Sequence, residues 1–378
     1  MTDELQLLQA LAPGFIGVLW AYYLGQCLWV HLGWLRLLRG PCPAVPTAPA
    51  PPLSILIPYH NEASTLPRLL ACLAAQQHPA LEIVLVDDRS VDEGPAQVAA
   101  WAAKQTHSVQ QLRIAETPTG WSPKKWALHQ GLQRCRHSMV LQTDADCTFG
   151  PQWAQLMQQP LLAGADVVIG HGALQAPKGF WGDVMAYEHL HTSWLMLGMA
   201  GVGTPYMAVG RNLAYRKAAH PEHSWAAFAH CLSGDDDLFI QHRRRGLAVR
   251  VQPCPHAYTH SPLPHTARVW MQQKRRHLTA ARHYRCHWQL ALGLQGLVPL
   301  ACAAHLAYSP AHAWLWLVPL CLKIHSLSRA SRQLRTRPGL LKLPLLELFW
   351  YLYGWATALS SYVVLPKWQK RVEIKKGA

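Results

Sequence analysis

Residues 139–149, MVLQTDADCTF, run from an apolar, strand-like segment directly into two aspartates one residue apart. A buried strand ending on paired carboxylates offers hard oxygen donors, which Mg²⁺ or Mn²⁺ takes together with substrate phosphates. The same grammar recurs upstream. LSILIPYHNE (53–62) reads as a short strand breaking at Pro58, STLPRLLACLAAQQ (64–77) as a helix with Ser64 at its N-cap, and LEIVLVDDRS (81–90) as a second buried strand. A helix over 97–104, a strand over 110–115, a helix over 123–135 and the strand at 138–146 come next. Strands alternating with helices predict a mostly parallel sheet covered on both faces, with its ligand crevice at the carboxyl ends of the strands. His60, Asn61 and Glu62 follow the first strand, Asp87 and Asp88 end the second, and Asp144 and Asp146 end the later one. One such aspartate merely opens a turn; acidic residues at three equivalent strand ends point to a site.

The turn PYHNEAST contains no glycine, so it lacks the tight pyrophosphate loop of a dinucleotide-binding dehydrogenase. The 378-residue chain carries 35 Lys and Arg against 20 Asp and Glu, a net +15, and therefore favours anionic partners. No Asp, Glu, Lys or Arg occurs between Glu4 and Arg36, a run long enough to cross a bilayer, and Arg36 and Arg39 after it place the succeeding domain in the cytoplasm. A second uncharged run, between Arg285 and Lys323, predicts two short helices joined by the Ser-Pro turn of YSPAH (308–312). A third, 343–365, carries only Glu347 and is basic on both flanks, so it either crosses or re-enters the membrane. The basic residues cluster beside apolar runs and do not alternate with aromatics on a soluble face, which argues against nucleic acid as partner. The ten cysteines form no CxxC pair, which argues against a zinc ribbon or a thioredoxin-like motif and leads to an expectation of free, mostly buried thiols in a reducing compartment.

In their order, the motifs of 53–285 resemble glycosyltransferase family 2, the inverting enzymes of the GT-A fold. The resemblance implies nucleotide contacts from Glu62 in SILIPYHNE and from Asp88 in VDDRS, with Asp87 supporting. SPKKWAL is similar to the family's Gly-Lys-x-x-Ala-Leu stretch, which implies a donor-side lysine at Lys124 and a surface or supporting role for Lys125. TDAD matches the metal-binding Asp-x-Asp, giving Asp144 and Asp146. PYMAVGRNLAYRK (205–217) resembles the strand beside the acceptor, where Gly210, Arg211 and Asn212 are expected to line the pocket. SGDDDLFIQHRRRG (233–246) resembles the segment with the catalytic base, expected at Asp236 with Asp235 as its alternative. MQQKRRHLTAARHY resembles the Gln-x-x-Arg-Trp motif, placing Gln273 and Arg276 near the diphosphate and acceptor, with His277 where tryptophan is usual.

The expected architecture is α/β, with a Rossmann-like GT-A domain flanked by transmembrane helices. An anchor (1–39), a proline-rich linker (40–52), the catalytic domain (53–285), a helical hairpin (286–328), a basic loop (329–342), a crossing or re-entrant segment (343–366) and a basic tail (367–378) divide the chain. The expected activity is a metal-dependent, inverting transfer from a nucleotide-diphosphate sugar, with Mg²⁺ or Mn²⁺, to a hydroxyl of a lipid, lipid-linked or glycan acceptor, as in cell-envelope glycans. The enzyme is expected at a bacterial inner membrane with its catalytic domain in the cytoplasm. A processive polysaccharide synthase and a catalytically idle scaffold of the same fold are the rival readings.

Overall fold

The computed structural model describes residues 2–40, 42, 50–220, 225–242, 246–263, 266–308, 311, 313–336 and 342–363. A helix, α1 (Thr2–Leu37), precedes the α/β domain. There β1 (Leu53–Tyr59), α2 (Leu66–Ala74), β2 (Leu81–Asp87), α3 (Gly94–Ala102), β3 (Ser108–Arg113), α4 (Pro123–Arg134) and β4 (Met139–Gln142) follow in the alternation read from the sequence. Then come β5 (Thr148–Phe149), α5 (Trp153–Leu162), β6 (Val167–Gly170), β7 (Gly172–Gln175), α6 (Phe180–Gly201), β8 (Leu213–Arg216), α7 (Asp237–His242), β9 (Val249–Gln252) and β10 (Thr259–Pro262). Four further helices, α8 (Ala267–Ala281), α9 (Cys286–Tyr308), α10 (Ala313–Gln333) and α11 (Leu343–Val363), complete the described chain.

The main sheet has the order β3-β2-β1-β4-β8-β6-β9, and β5-β10-β7 form a small second sheet. β1, β2, β3 and β4 run parallel, as do β6 and β9, while β8 runs against both of its neighbours. Every residue of β1 and β2 is buried, as expected of parallel strands covered on both faces. Their side chains alternate between two core layers. Ile55, Ile57, Ile83 and Leu85 pack toward α2, α3 and α5, and Leu56, Val84 and Val86 toward α4 and α6. Glu82, buried within β2, is satisfied by Gln110 Nε2 at 2.6 Å and by the backbone N–H of Arg136 at 2.8 Å.

Several local expectations need correction. β1 does not break at Pro58: it runs to Tyr59, because Pro58 lies beyond the last residue paired with β4 (Leu56 with Gln142) and its missing N–H breaks no bond on that side. The cap of α2 is Thr65, one residue after Ser64, with Pro67 in the first turn. The helices of 286–333 are not short, at 23 and 21 residues; of the turn between them, Ser309, Pro310 and His312 lie outside the described residues. The cysteines are not all free, since Cys42 and Cys254 form a disulfide with Cα atoms 5.0 Å apart.

The N-terminal helix is not held off by the linker, most of which lies outside the described residues. α1 packs directly on α6, a helix that hydrophobic periodicity does not single out. A Cβ at Gly33 would meet the carbonyl oxygen of Gly198 at 1.8 Å, and one at Gly201 would meet that of Gly33 at 2.8 Å, so only glycine permits this approach. Trp34 Nε1 donates to the carbonyl of Trp194 at 2.9 Å across the same contact. α9, α10 and α11 pack around these two helices. Inside the bundle the isolated Glu347 finds its counter-charge: it pairs with the buried Lys323 and accepts from Tyr187 and Tyr351. By length and composition, two helical segments among the described residues suffice to cross a membrane, Gly14–Leu37 and Cys286–Leu306.

Candidate active site

The register explains why distant motifs meet. Tyr59, Asp87 and Arg113 are aligned across β1, β2 and β3, and Gln142 pairs with Leu56, so the turns after β1, β2 and β4 open on one edge of the sheet. Because β8 is antiparallel, its start lies at that edge: Leu213 pairs with Gln142 and Ile169, which brings Gly210 and Arg211 beside the TDAD turn. Thr143 Oγ1 donates to the carbonyl of Arg211 at 2.8 Å and fixes the two turns together.

The turns after β1 and β2 are clasped in left-handed conformations at Asn61 (φ 54°) and Arg89 (φ 58°), uncommon for residues with a Cβ. Val91 N–H donates to Asn61 Oδ1 at 2.8 Å, Asn61 N–H to Ser90 Oγ at 3.0 Å, and Ser90 N–H to Asp87 Oδ1 at 2.8 Å. Asp87 thus organises the turn. Asp88 is buried and paired with Arg89 at 2.9 Å. Glu62 turns its carboxylate to the Thr65 hydroxyl at 2.6 Å, at the start of α2.

At the centre, Lys124 Nζ lies 2.9 Å from Asp144 Oδ1 and 3.1 Å from Asp235 Oδ2. Burial alone would lower the lysine's pKa, but Asp144, Asp235 and Asp236 overcome that and hold it charged. Burial likewise pushes Asp235 upward, yet Lys124 more than offsets it and keeps the carboxylate ionised. Asp236 behaves oppositely. Burial and then the neighbouring Asp235 push it up to about 6, although it accepts the backbone N–H groups of Gly210 at 2.5 Å and of Asp237 at 2.8 Å. Gly210 leaves little room here: a Cβ would lie 2.9 Å from Asp235 Oδ2 and 3.1 Å from Gln142 Nε2, so either side chain would have to shift. Asp237, buried at the start of α7, is pushed further up by burial and by Asp236.

Arg276 belongs to the same electrostatic cluster. Burial lowers its pKa, while Asp235, Asp144 and Asp236 act on it in the opposite sense. Gln273, three residues earlier on α8, shares that helix face and is partly buried. Arg211 Nε donates to the Gly172 carbonyl at 3.1 Å, lying across a glycine whose Cβ would clash with it at 2.3 Å. Burial, followed by Arg276, Lys274, Arg211 and Lys124, drives His277 well below its ordinary pKa, so a neutral imidazole replaces the indole of the usual motif.

Asn212 is the one pocket expectation the geometry corrects. It is fully buried, its amide donates to the carbonyls of His171 and Ala257, both at 2.9 Å, and it accepts from Trp153 Nε1 at 3.0 Å, so it braces β8 from beneath. Lys125 is likewise no surface charge. Buried beside Lys124, it donates to the carbonyls of Phe228, Cys231 and Ser233 at 2.8, 2.9 and 2.8 Å and so shapes the loop that delivers Asp235 and Asp236. Sequence reasoning does not find Trp225, whose Nε1 donates to the Asp235 carbonyl at 3.0 Å. The KK doublet at the start of α4 is a signal for Lys125, since consecutive helical residues point in different directions; nothing local marks Trp225.

Residues 54–195 match the family described as Glycosyl transferase family 2. An undecaprenyl-phosphate 4-deoxy-4-formamido-L-arabinose transferase of Pseudomonas fluorescens is 34% identical over 119 residues, 31% of this chain and 34% of that protein. The probable glycosyltransferase YdaM of Bacillus subtilis is 26% identical over 234 residues, 60% of this chain and 54% of its own length. The chain thus matches about a third to a half of these relatives. Among solved structures, the mannosyltransferase PcManGT of Pyrobaculum calidifontis, in complex with GDP-Man and Mn²⁺, is similar over 85% of this chain and 98% of its own, with 18% identity and a TM-score of 0.48. By this match, residues 54–195 carry a region similar to glycosyl transferase family 2.

Proposed function

We propose that the protein is a membrane-bound inverting glycosyltransferase that moves a sugar from a nucleotide-diphosphate donor to a hydroxyl of a lipid or lipid-linked acceptor. The observation that carries this reading is the convergence of Asp144, Asp235 and Lys124, with Asp236 beside them, at the carboxyl edge of the sheet. Relatives named for undecaprenyl-phosphate support a lipid-linked chemistry, and the two long apolar helical segments support membrane attachment.

In this reading Asp236 takes the proton of the acceptor hydroxyl. Its near-neutral pKa suits a general base, because a proton affinity close to the working pH combines ionisation with basicity. The acceptor oxygen bonds to the anomeric carbon on the face opposite the diphosphate, whose bond breaks with inversion. Lys124 and Arg276 hold the negative charge gathering on the departing diphosphate, and Gly210 with Arg211 flanks the acceptor. Asp88 and Glu62 hold the nucleoside. Asp144 and Asp146 offer hard carboxylate oxygens on one turn, with Asp144 30% exposed at its side chain, a donor set that fits Mg²⁺ or Mn²⁺. Such an ion would neutralise diphosphate charge.

The charge distribution favours a cytoplasmic catalytic domain. The Cys42–Cys254 disulfide pulls the other way, because structural disulfides persist in oxidising compartments; impermeant alkylation of intact cells, with and without reduction, assigns the side. The activity is tested by nucleoside-diphosphate release from a panel of sugar nucleotides, by the protein in lipid with Mn²⁺ or Mg²⁺, beside Asp144→Asn and Asp236→Asn. Metal-dependent release from one donor, lost in both variants, is expected. No release from any donor, with membrane lipid extract supplied as acceptor, would favour the idle scaffold.

A further inference from the structure

A second constellation lies beside Lys125, whose ammonium donates to the Cys231 carbonyl. His230, Cys231 and His283 bring one ring nitrogen or sulfur each to within 4.8 Å of one another. They come from two separate segments: His230 and Cys231 from the loop that leads into Asp235, and His283 from the turn between α8 and α9, just after the helix bearing Gln273 and Arg276. One pair, Cys231 Sγ and His230 Nε2, is 3.6 Å apart, close to the separation of about 3.5 Å that two donors on a tetrahedral Zn²⁺ adopt. His230 is exposed, whereas Cys231 is buried and His283 half-buried.

The surroundings hold these groups in place. Lys125 fixes the Cys231 carbonyl at 2.9 Å, His242 Nε2 donates to the His283 carbonyl at 3.0 Å, and the Phe228 ring packs against both His242 and His283. Two imidazoles and a thiol are a borderline-soft set that selects Zn²⁺ over the Mg²⁺ or Mn²⁺ suited to carboxylates.

We propose that His230, Cys231 and His283 bind one Zn²⁺, with water completing the shell, and that the ion clasps the loop carrying Asp235 and Asp236 to the end of α8. Cys231 loses its proton to solvent on binding and ligates as thiolate. The site is distinct from the carboxylate cluster and its test reads no sugar transfer, so it stands or falls apart from the reading above.

The full chain in lipid nanodiscs, stripped with chelator, is titrated with Co²⁺ and then with Zn²⁺. A thiolate-to-cobalt charge-transfer band is expected, abolished stoichiometrically by one Zn²⁺ per chain and absent in Cys231→Ser. His230→Gln, at an exposed position that does not affect folding, is expected to weaken Zn²⁺ binding by at least about tenfold. No such band in the wild type, a band that survives Cys231→Ser, or Zn²⁺ affinity unchanged in both variants would each overturn the proposal.

Discussion

Two buried charge networks in this molecule are built on opposite principles. In the helical bundle, one lysine meets one glutamate: Lys323 and Glu347 are both buried, and Tyr351 OH, 2.9 Å from Lys323 Nζ, helps to close the shell. The network is balanced. At the sheet edge a single ammonium, Lys124, is shared by Asp144 and Asp235, with Asp236 and Asp237 crowded behind them. That network carries more acid than base. A balanced pair gains nothing by binding a cation or releasing a proton, so it serves the scaffold. An unbalanced one holds a carboxyl near neutrality and reserves oxygens for a ligand, at some cost in local stability.

This contrast predicts different failures. Asp236→Asn removes the proposed base and should lower transfer by about 10²–10⁴-fold, while the melting temperature holds or rises, because a crowding carboxyl is gone. Glu347→Gln does the reverse. It leaves Lys323 buried without its counter-charge and should cost about 3–5 kcal/mol in thermal unfolding, with turnover per folded molecule unchanged. The double variant Lys323→Met/Glu347→Leu should recover most of that loss, since an apolar replacement leaves no charge uncompensated. Removing a covalent tie across 212 residues, Cys42→Ser should lower stability by about 2–4 kcal/mol under oxidising conditions, and by nothing in reductant. The smallest effect falls on geometry alone: Gly210→Ala pushes against Asp235 and Gln142 and should reduce transfer by about ten- to a hundredfold with the fold intact.

Much of the sheet and its acidic edge is legible in the sequence, because both signals are local. Continuous apolar runs such as LEIVLVD mark strands buried on two faces, and acidic residues directly after them mark the crevice. The Asp-x-Asp turn is equally local, whereas Lys124 is expected only through the resemblance of SPKKWAL to its family counterpart. The illegible parts depend on packing between distant segments. Asn212 reads as a pocket residue beside Gly210 and Arg211, but the short helical turn 210–212 swings its amide beneath β8 onto His171, Ala257 and Trp153. The α1–α6 contact rests on single glycines in helices whose apolar residues are not confined to one stripe, so periodicity cannot reveal which faces meet. Glu347 reads as a lone charge in an apolar run because its partner stands 24 residues away on another helix.

If the unbalanced cluster is a reaction centre with Asp236 as base, the pH dependence of kcat/KM for nucleoside-diphosphate release must carry its signature. A raised pKa of about 6 means that the base is protonated, and the enzyme idle, below that value. The rate should therefore rise about tenfold per pH unit up to about pH 6 and level off above it. A rate that stays flat from about pH 5 to 8, or an acidic limb that persists unchanged in Asp236→Asn, would contradict that role.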